Sequence, residues 1–162
     1  MNITHPQTIP HPWTETDIKV LATSRNFSDI GSVTLAVLLR FQNRVAMVSG
    51  PMTSGGKGSI TENPAAYRRA MAHLQSKDYV IFNQLLAEDA LKRHWHAWIA
   101  AGNEGYCWEL LEEVYAPVFR SGKVAKLVFM PDWQSSRGAT WEHEMAHKLG
   151  IETEYLPHNW EQ

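Results

Sequence analysis

Short apolar runs that alternate with helix-patterned stretches constrain this chain more than any other feature. Val45-Ala46-Met47-Val48 is four apolar residues closed by Ser49-Gly50-Pro51. The run is too short for a helix and lacks the alternation of a half-exposed strand, so it reads as a strand buried on both faces. Tyr79-Val80-Ile81-Phe82 and Ala125 to Met130 repeat the signal, and Ile151 to Leu156 reads as a last short strand. Between the first two runs, Asn63-Pro64 predicts a helix start, with Asn as N-cap and Pro at the first helical position. Tyr67, Ala70, Met71 and Leu74 then share one helical face. Further helices are expected at about 85–100, 107–120 and 138–149, the last stopped by Gly150. This series predicts an α/β fold with a mainly parallel sheet and helices on both faces. Ligands in such sheets bind at the carboxyl ends of the strands. Here those ends are Ser49-Gly50-Pro51, Asn83-Gln84 and residues 131–138.

The first 43 residues fit this series less well and form an N-terminal extension to a domain at 44–162. Residues 1–13 are rich in proline and histidine, and Thr14-Glu15-Thr16-Asp17 offers helix-capping chemistry. Residues 17–41 are apolar with a break at Gly31. They read as two helices or as a helix and a strand, and the β-branched content of Ser32 to Leu39 pulls towards a strand.

Composition narrows the function classes. The 162 residues suit one domain. Fifteen basic against 17 acidic residues give a net charge of −2, which excludes a surface built for nucleic acid but admits a nucleoside or nucleotide ligand. Cys107 is the single cysteine, so neither a disulfide framework nor a cysteine-rich zinc site is expected. No apolar run reaches the ~18 residues of a membrane span, and the N-terminus lacks a signal-peptide pattern. A cytoplasmic protein with no membrane partner and no cofactor is expected. Seven tryptophans and eight histidines in so short a chain stand out.

Five constellations can carry chemistry. Ser49-Gly50-Pro51-Met52 with the Gly/Ser-rich residues behind it can bring backbone N–H groups to an anion. It is not a P-loop, because Pro51 stands where the first glycine belongs and Gly58 follows Lys57. In the second, Asp132-Trp133-Gln134-Ser135-Ser136-Arg137 leads from a strand into a helix at Gly138 whose free N–H groups favour an anion. Glu142 lies one turn inside that helix. It is either a carboxylate at the ligand, able to attack or stabilise a sugar carbon, or an exposed residue serving the helix dipole. Position alone favours the plainer role. His143-Glu144-Met145-Ala146-His147 matches the HExxH string of zinc peptidases. A third ligand is not evident, because Thr153 stands where the extended motif has histidine and only Glu152, Glu154 and His158 remain, so no metal is expected. His94-Trp95-His96 on a helix points its histidines apart and reads as an aromatic packing face. Glu109, Glu112 and Glu113 form an acidic face. One of them, or Glu88 or Asp89, is a candidate second carboxylate.

Taken together, Ser49-Gly50-Pro51-Met52, Asn63-Pro64 to Tyr67, and Pro131-Asp132-Trp133 with Ser136-x-Gly138-x-x-x-Glu142 resemble the nucleoside 2-deoxyribosyltransferase-like superfamily. The nearest branch is one of small phage and bacterial proteins. The resemblance covers about residues 44–157. It implies a flavodoxin-like three-layer α/β/α sandwich, a site at the strand ends, and a homo-oligomer. It also implies that Glu142 is the nucleophile on the anomeric carbon of a nucleoside or nucleotide. Ser136, Arg137 and Gly138 would hold sugar or phosphate, Ser49, Gly50, Pro51 and Met52 would form the adjoining loop, and Asn83, Asp132 and Trp133 would border the ligand. Trp133 and Trp141 would flank it. The sequence departs from the superfamily at Met47, where many members have tyrosine, at Asp132, where glycine is usual, and near Pro117, where an aspartate is usual. A non-catalytic nucleotide-binding protein on the same fold is the alternative, and a zinc peptidase a third.

Overall fold

The computed structural model describes residues 8–51 and 62–162. Its elements run α1 (Glu15–Ala22), α2 (Phe27–Leu38), β1 (Val45–Ser49), α3 (Glu62–Gln75), a 3-10 turn (Gln84–Ala87), α4 (Glu88–Ala100), α5 (Trp108–Leu110), a π turn (Leu111–Tyr115), α6 (Ala116–Arg120), β2 (Val124–Phe129), a second 3-10 turn (Trp133–Ser135), α7 (Arg137–Leu149) and β3 (Glu152–Tyr155). The strands form a parallel sheet in the order β1-β2-β3. Helices flank it on both sides, which makes a three-layer α/β/α arrangement of the flavodoxin-like kind.

Period-two alternation distributes the strand side chains between two cores. Val45, Met47, Leu127 and Phe129 face one core with residues of α1, α2, α4, α6 and α7. Ala46, Val48, Val128 and Met130 face the other with Ala66, Tyr67, Ala70, Met71 and Leu74 of α3. The expected apolar face of that helix is therefore the buried one. The Gly/Ser-rich stretch before it, including Met52, lies outside the described residues, and α3 already includes Asn63, one residue past its first position.

One sequence expectation is corrected and one open choice is decided. The apolar run 79–82 does not form a strand. It makes one parallel bridge, Ala46 to Ile81, with Ala46 N donating to Val80 O at 2.8 Å and Phe82 N to Ala46 O at 3.0 Å. The chain is then turned away: Trp13 Nε1 donates to Asn83 O at 2.8 Å, and the Asn83 side chain accepts from Leu85 N to open the 3-10 turn. The choice left open over residues 17–41 falls to two helices, with residues 32–38 in α2 rather than in a strand. Phe27, Ile30, Gly31, Thr34, Val37 and Leu38 are buried at a spacing of three to four residues. That burial outweighs the β-branched preference of single residues. Gly31 is not a break but lies inside α2.

The capping signal at Thr14 is realised in full. Asp17 N donates to Thr14 Oγ1, and Thr14 N donates to Asp17 Oδ2 at 2.7 Å. Arg40 then closes a two-pronged ion pair on Asp17, at 2.6 and 2.9 Å. Trp13, Leu21, Phe27, Ile30, Val37 and Leu38 belong to the same buried cluster as β1 and β2, so the described part of the extension packs into the domain. None of the described helices is long and apolar enough to cross a membrane.

Candidate functional site

A cavity opens at the carboxyl ends of β1 and β2, where the parallel topology predicts it. Gly50, Tyr67, Gln84, Glu88, Trp95, Tyr106, Tyr115, Ser136, Gly138 and Glu142 line it, with Leu91, Lys92, Leu110, Leu111 and Ala139 completing the wall. Each element contributes by a local rule. Gly50 lets the chain leave β1 past Met130, whose Cβ would be 2.9 Å from any Cβ placed there. Ser136 accepts from Ala139 N as the N-cap of α7, at 3.2 Å. Gly138 in the first turn leaves room for the Tyr106 hydroxyl, which an added Cβ would meet at 2.7 Å. Gln84, Glu88, Leu91 and Trp95 recur at four, three and four residues, which puts all four on one face of the 3-10 turn and α4.

Glu142 is the central carboxylate. It projects from the second turn of α7 into the cavity and is half-buried. Desolvation pushes its pKa from 4.5 up to about 7, partly offset by the nearby Ser49 hydroxyl. The two groups do not meet in ordinary hydrogen-bond geometry: Ser49 Oγ is buried and has no partner. Glu88 is the second carboxylate, on α4. Burial raises its pKa as well, and Lys92 and Arg68 pull in the opposite direction. Its Oε1 is 3.8 Å from Lys92 Nζ and makes no hydrogen bond. Tyr67 donates to Gly50 O at 2.8 Å. The hydroxyls of Tyr67 and Tyr115 are held well above the usual tyrosine range, first by burial and then by the negative field of Glu142 and Glu88.

Three buried polar atoms lack a hydrogen-bond partner among the described residues: Ser49 Oγ, Gln84 Oε1 and Glu88 Oε1. Gln84 and Glu88 line the cavity and Ser49 borders it through Glu142. Buried polar groups are nearly always satisfied, and each orphan costs about 1–3 kcal/mol. All three atoms lie at or beside the one cavity.

The residues singled out in the sequence are divided by the fold. Gly50, Ser136, Gly138 and Glu142 line the cavity, and Ser49 and the buried Pro51 adjoin it. Asn83 does not reach it; its side chain caps the 3-10 turn. Asp132 is exposed in the left-handed region, φ 66°, and faces His158 at 3.4 Å. Arg137 is exposed and borders a surface depression with Trp108 and Trp141 instead. Trp133 packs on Phe129 and stacks on His143 at 4.4 Å. Glu109, Glu112 and Glu113 are exposed. In the HExxH string, His143 Nε2 pairs with the Tyr155 hydroxyl at 2.6 Å and its ring meets His147 edge-on. Among the described residues, no group of three His, Cys, Asp or Glu is placed to hold a metal ion. His94 bonds Ser24, while its neighbour Trp95 lines the cavity.

Sequence reasoning placed Gln84 only at a strand end, gave no site role to Tyr67, Tyr106 or Tyr115, and left Glu88 as one of several carboxylates. A signal existed. Gln84 and Glu88 are polar residues at helical spacing within a stripe that also carries Ala87 and Leu91, and polar groups on a buried stripe need a reason.

Residues 44–155 match a family model described as "Domain of unknown function (DUF4406)". Neither the curated proteins nor the solved structures contain a match to the chain.

Proposed function

The match takes in more than half of the 162 residues, so the chain belongs to the DUF4406 family, and we propose that its cavity cleaves the N-glycosidic bond of a nucleoside or nucleotide. The observation that carries this reading is the pair of cavity carboxylates, Glu142 and Glu88, both with raised pKa values, beside an orphaned serine hydroxyl. Two carboxyl groups at one site can divide nucleophile and acid roles between them.

In this reading an ionised Glu142 oxygen bonds to the anomeric carbon as the carbon–nitrogen bond to the base breaks. The bonding pair leaves on the base nitrogen, which takes a proton from Glu88. Water, or the nitrogen of a second base, then attacks the anomeric carbon and the ester bond to Glu142 breaks. Glu88 recovers its proton from the attacking group. A hydrogen bond from Ser49 Oγ–H would favour the charged form of Glu142, the direction in which that hydroxyl acts on its pKa. Tyr67 from α3, Tyr106 from the loop before α5 and Tyr115 from the π turn bring phenolic groups to the cavity.

Base release from a panel of nucleosides and 5′-nucleotides, followed by chromatography, tests the reading. Release by the wild type that falls at least a hundredfold in Glu142→Ala is expected. No release on any substrate, or equal release by the variant, refutes catalysis. Ligand-dependent melting shifts without release would assign the cavity to binding alone.

A further inference from the structure

Gln84 holds an unusual position in the cavity. The residue is buried, its Nε2 donates to Val48 O at 2.8 Å, and its Oε1 has no partner. The bond to Val48 fixes which end of the amide faces the cavity, because a carbonyl oxygen can only accept. Gln84 thus presents a bare acceptor, anchored one residue before Ser49, whose hydroxyl lies beside Glu142. The cavity around it is rich in acceptors. Glu142 and Glu88 are carboxylates, and Gly50 O already accepts from Tyr67. Among the described lining residues the cation is Lys92, next to Glu88. An anion placed against Gln84 Oε1 would meet an acceptor and two carboxylates, whereas a neutral O–H donor would satisfy the orphan.

We propose that Gln84 Oε1 accepts a hydrogen bond from a ring hydroxyl of the glycosyl group, and that Gln84 is a specificity-determining residue selecting a hydroxylated sugar at the inner wall. The inference rests on the N-glycosidase reading for the sugar's orientation, since the group adjoining a carbon attacked by Glu142 is the sugar ring. Phosphate, where the substrate has one, sits away from this wall. A site built around a buried acceptor rejects a ligand lacking the matching donor more strongly than an apolar pocket rejects a missing methylene.

The test compares wild type, Gln84→Met and Gln84→Glu on ribonucleosides and on their 2′-deoxy and 3′-deoxy analogues, with kcat/KM for base release as the readout. D-ribose and its deoxy analogues serve as binding probes by melting shift. In the wild type, removing the hydroxyl read by Gln84 is expected to lower kcat/KM tenfold to a hundredfold, the loss of one hydrogen bond to a buried group. In Gln84→Met the ratio between substrate and deoxy analogue shrinks to under about threefold. Gln84→Glu keeps an acceptor oxygen but removes the Nε2 donor that anchors it to Val48 O, so its discrimination is expected to fall between those of the wild type and Gln84→Met. A ratio is unmoved by general loss of folded protein, so a merely structural role for Gln84 would leave it unchanged. Unchanged discrimination in Gln84→Met, or discrimination that follows the amino groups of the base, overturns the inference while base release keeps the glycosidase reading intact. Gln84-dependent discrimination among the free sugars without base release sustains the inference and removes that reading. Absence of both release and sugar binding overturns both.

Discussion

Replacing Glu142 by glutamine removes a titratable carboxyl from the cavity while keeping its shape. The rise of the Glu142 pKa from 4.5 to about 7 means that the folded protein holds the proton more tightly than the unfolded chain does. At ~1.4 kcal/mol per pH unit of displacement, ionising the folded carboxyl costs about 3 kcal/mol. Below pH 4.5 both states are protonated and no cost arises. Between pH 4.5 and about 7 the unfolded chain releases its proton while the folded one keeps it, so stability falls as pH rises. Above about 7 the full cost is present. Glu142→Gln is therefore expected to match the wild type closely at pH 4 and to exceed it by about 3 kcal/mol at pH 8. In a domain of this size that is roughly 6–12 °C in Tm. Urea unfolding of both proteins at the two pH values, or paired calorimetric scans, measures it. All other titrating groups are common to the two proteins and cancel in the difference. A gap between variant and wild type that is the same at pH 4 and pH 8 would refute the desolvation of Glu142, and with it the electrostatic basis for the site.

Other substitutions probe the scaffold. Asp17→Asn breaks the Arg40 pair on a carboxylate held down at about 2 from 3.8. With Arg40 partly exposed, the loss at pH 7 is about 1–2 kcal/mol, and in urea titrations it narrows as pH falls below 4 through the folded pKa. Gly31→Ala drives a methyl group into the Glu113 carbonyl, so a net loss of about 2 kcal/mol is expected despite alanine's better helix propensity. A higher Tm would show that α2 does not seat as described. Gly138→Ala meets only the far end of the Tyr106 side chain; stability should change by less than about 1 kcal/mol while base release falls, and the reverse pattern would place Gly138 in the fold rather than the site.

Two strands were legible because they are short, apolar and largely buried, whereas β3 reads Glu-Thr-Glu-Tyr with no buried residue and was marked only by its place after the last helix. The same logic failed at Tyr79 to Phe82, which has strand composition but loses its ladder to a turn held by Trp13, some seventy residues away in sequence. Glu142 could be placed because a strand, a polar turn and a capped helix fix its distance from the strand end. The orphaned acceptors could not be read in the same way. That Gln84 Oε1 and Glu88 Oε1 lack a hydrogen bond is a property of everything packed around them, and local spacing shows only that the two residues share a face. Trp133 illustrates the opposite error: an aromatic beside the proposed turn looks like a stacking platform, but Phe129, His143 and Tyr155 claim its ring.

One cavity wall follows from a single residue whose effect travels through the backbone. Pro117 stands inside the 108–120 helical stretch and has no N–H to offer the carbonyl four residues earlier, which is that of Glu113. The chain widens into the π turn over Leu111–Tyr115 just before it, as helices do where a proline interrupts the regular ladder. The Glu113 carbonyl is directed at α2, against the bare Cα of Gly31. Leu111 and Tyr115, the two ends of the turn, both face the cavity. Gly31 and Pro117 are then one device: the proline forces the carbonyl outward, the glycine receives it, and the widened turn carries Tyr115 to the carboxylates. Replacing Pro117 with alanine should restore a regular helix and draw Tyr115 away from Glu88 and Glu142. The tyrosine's ionisation, followed by its ultraviolet difference spectrum, is expected to move down towards the usual range as the burial that raises it is relieved. An unchanged tyrosine titration in a folded Pro117→Ala protein would show that the turn is set by packing on α2 and not by the proline.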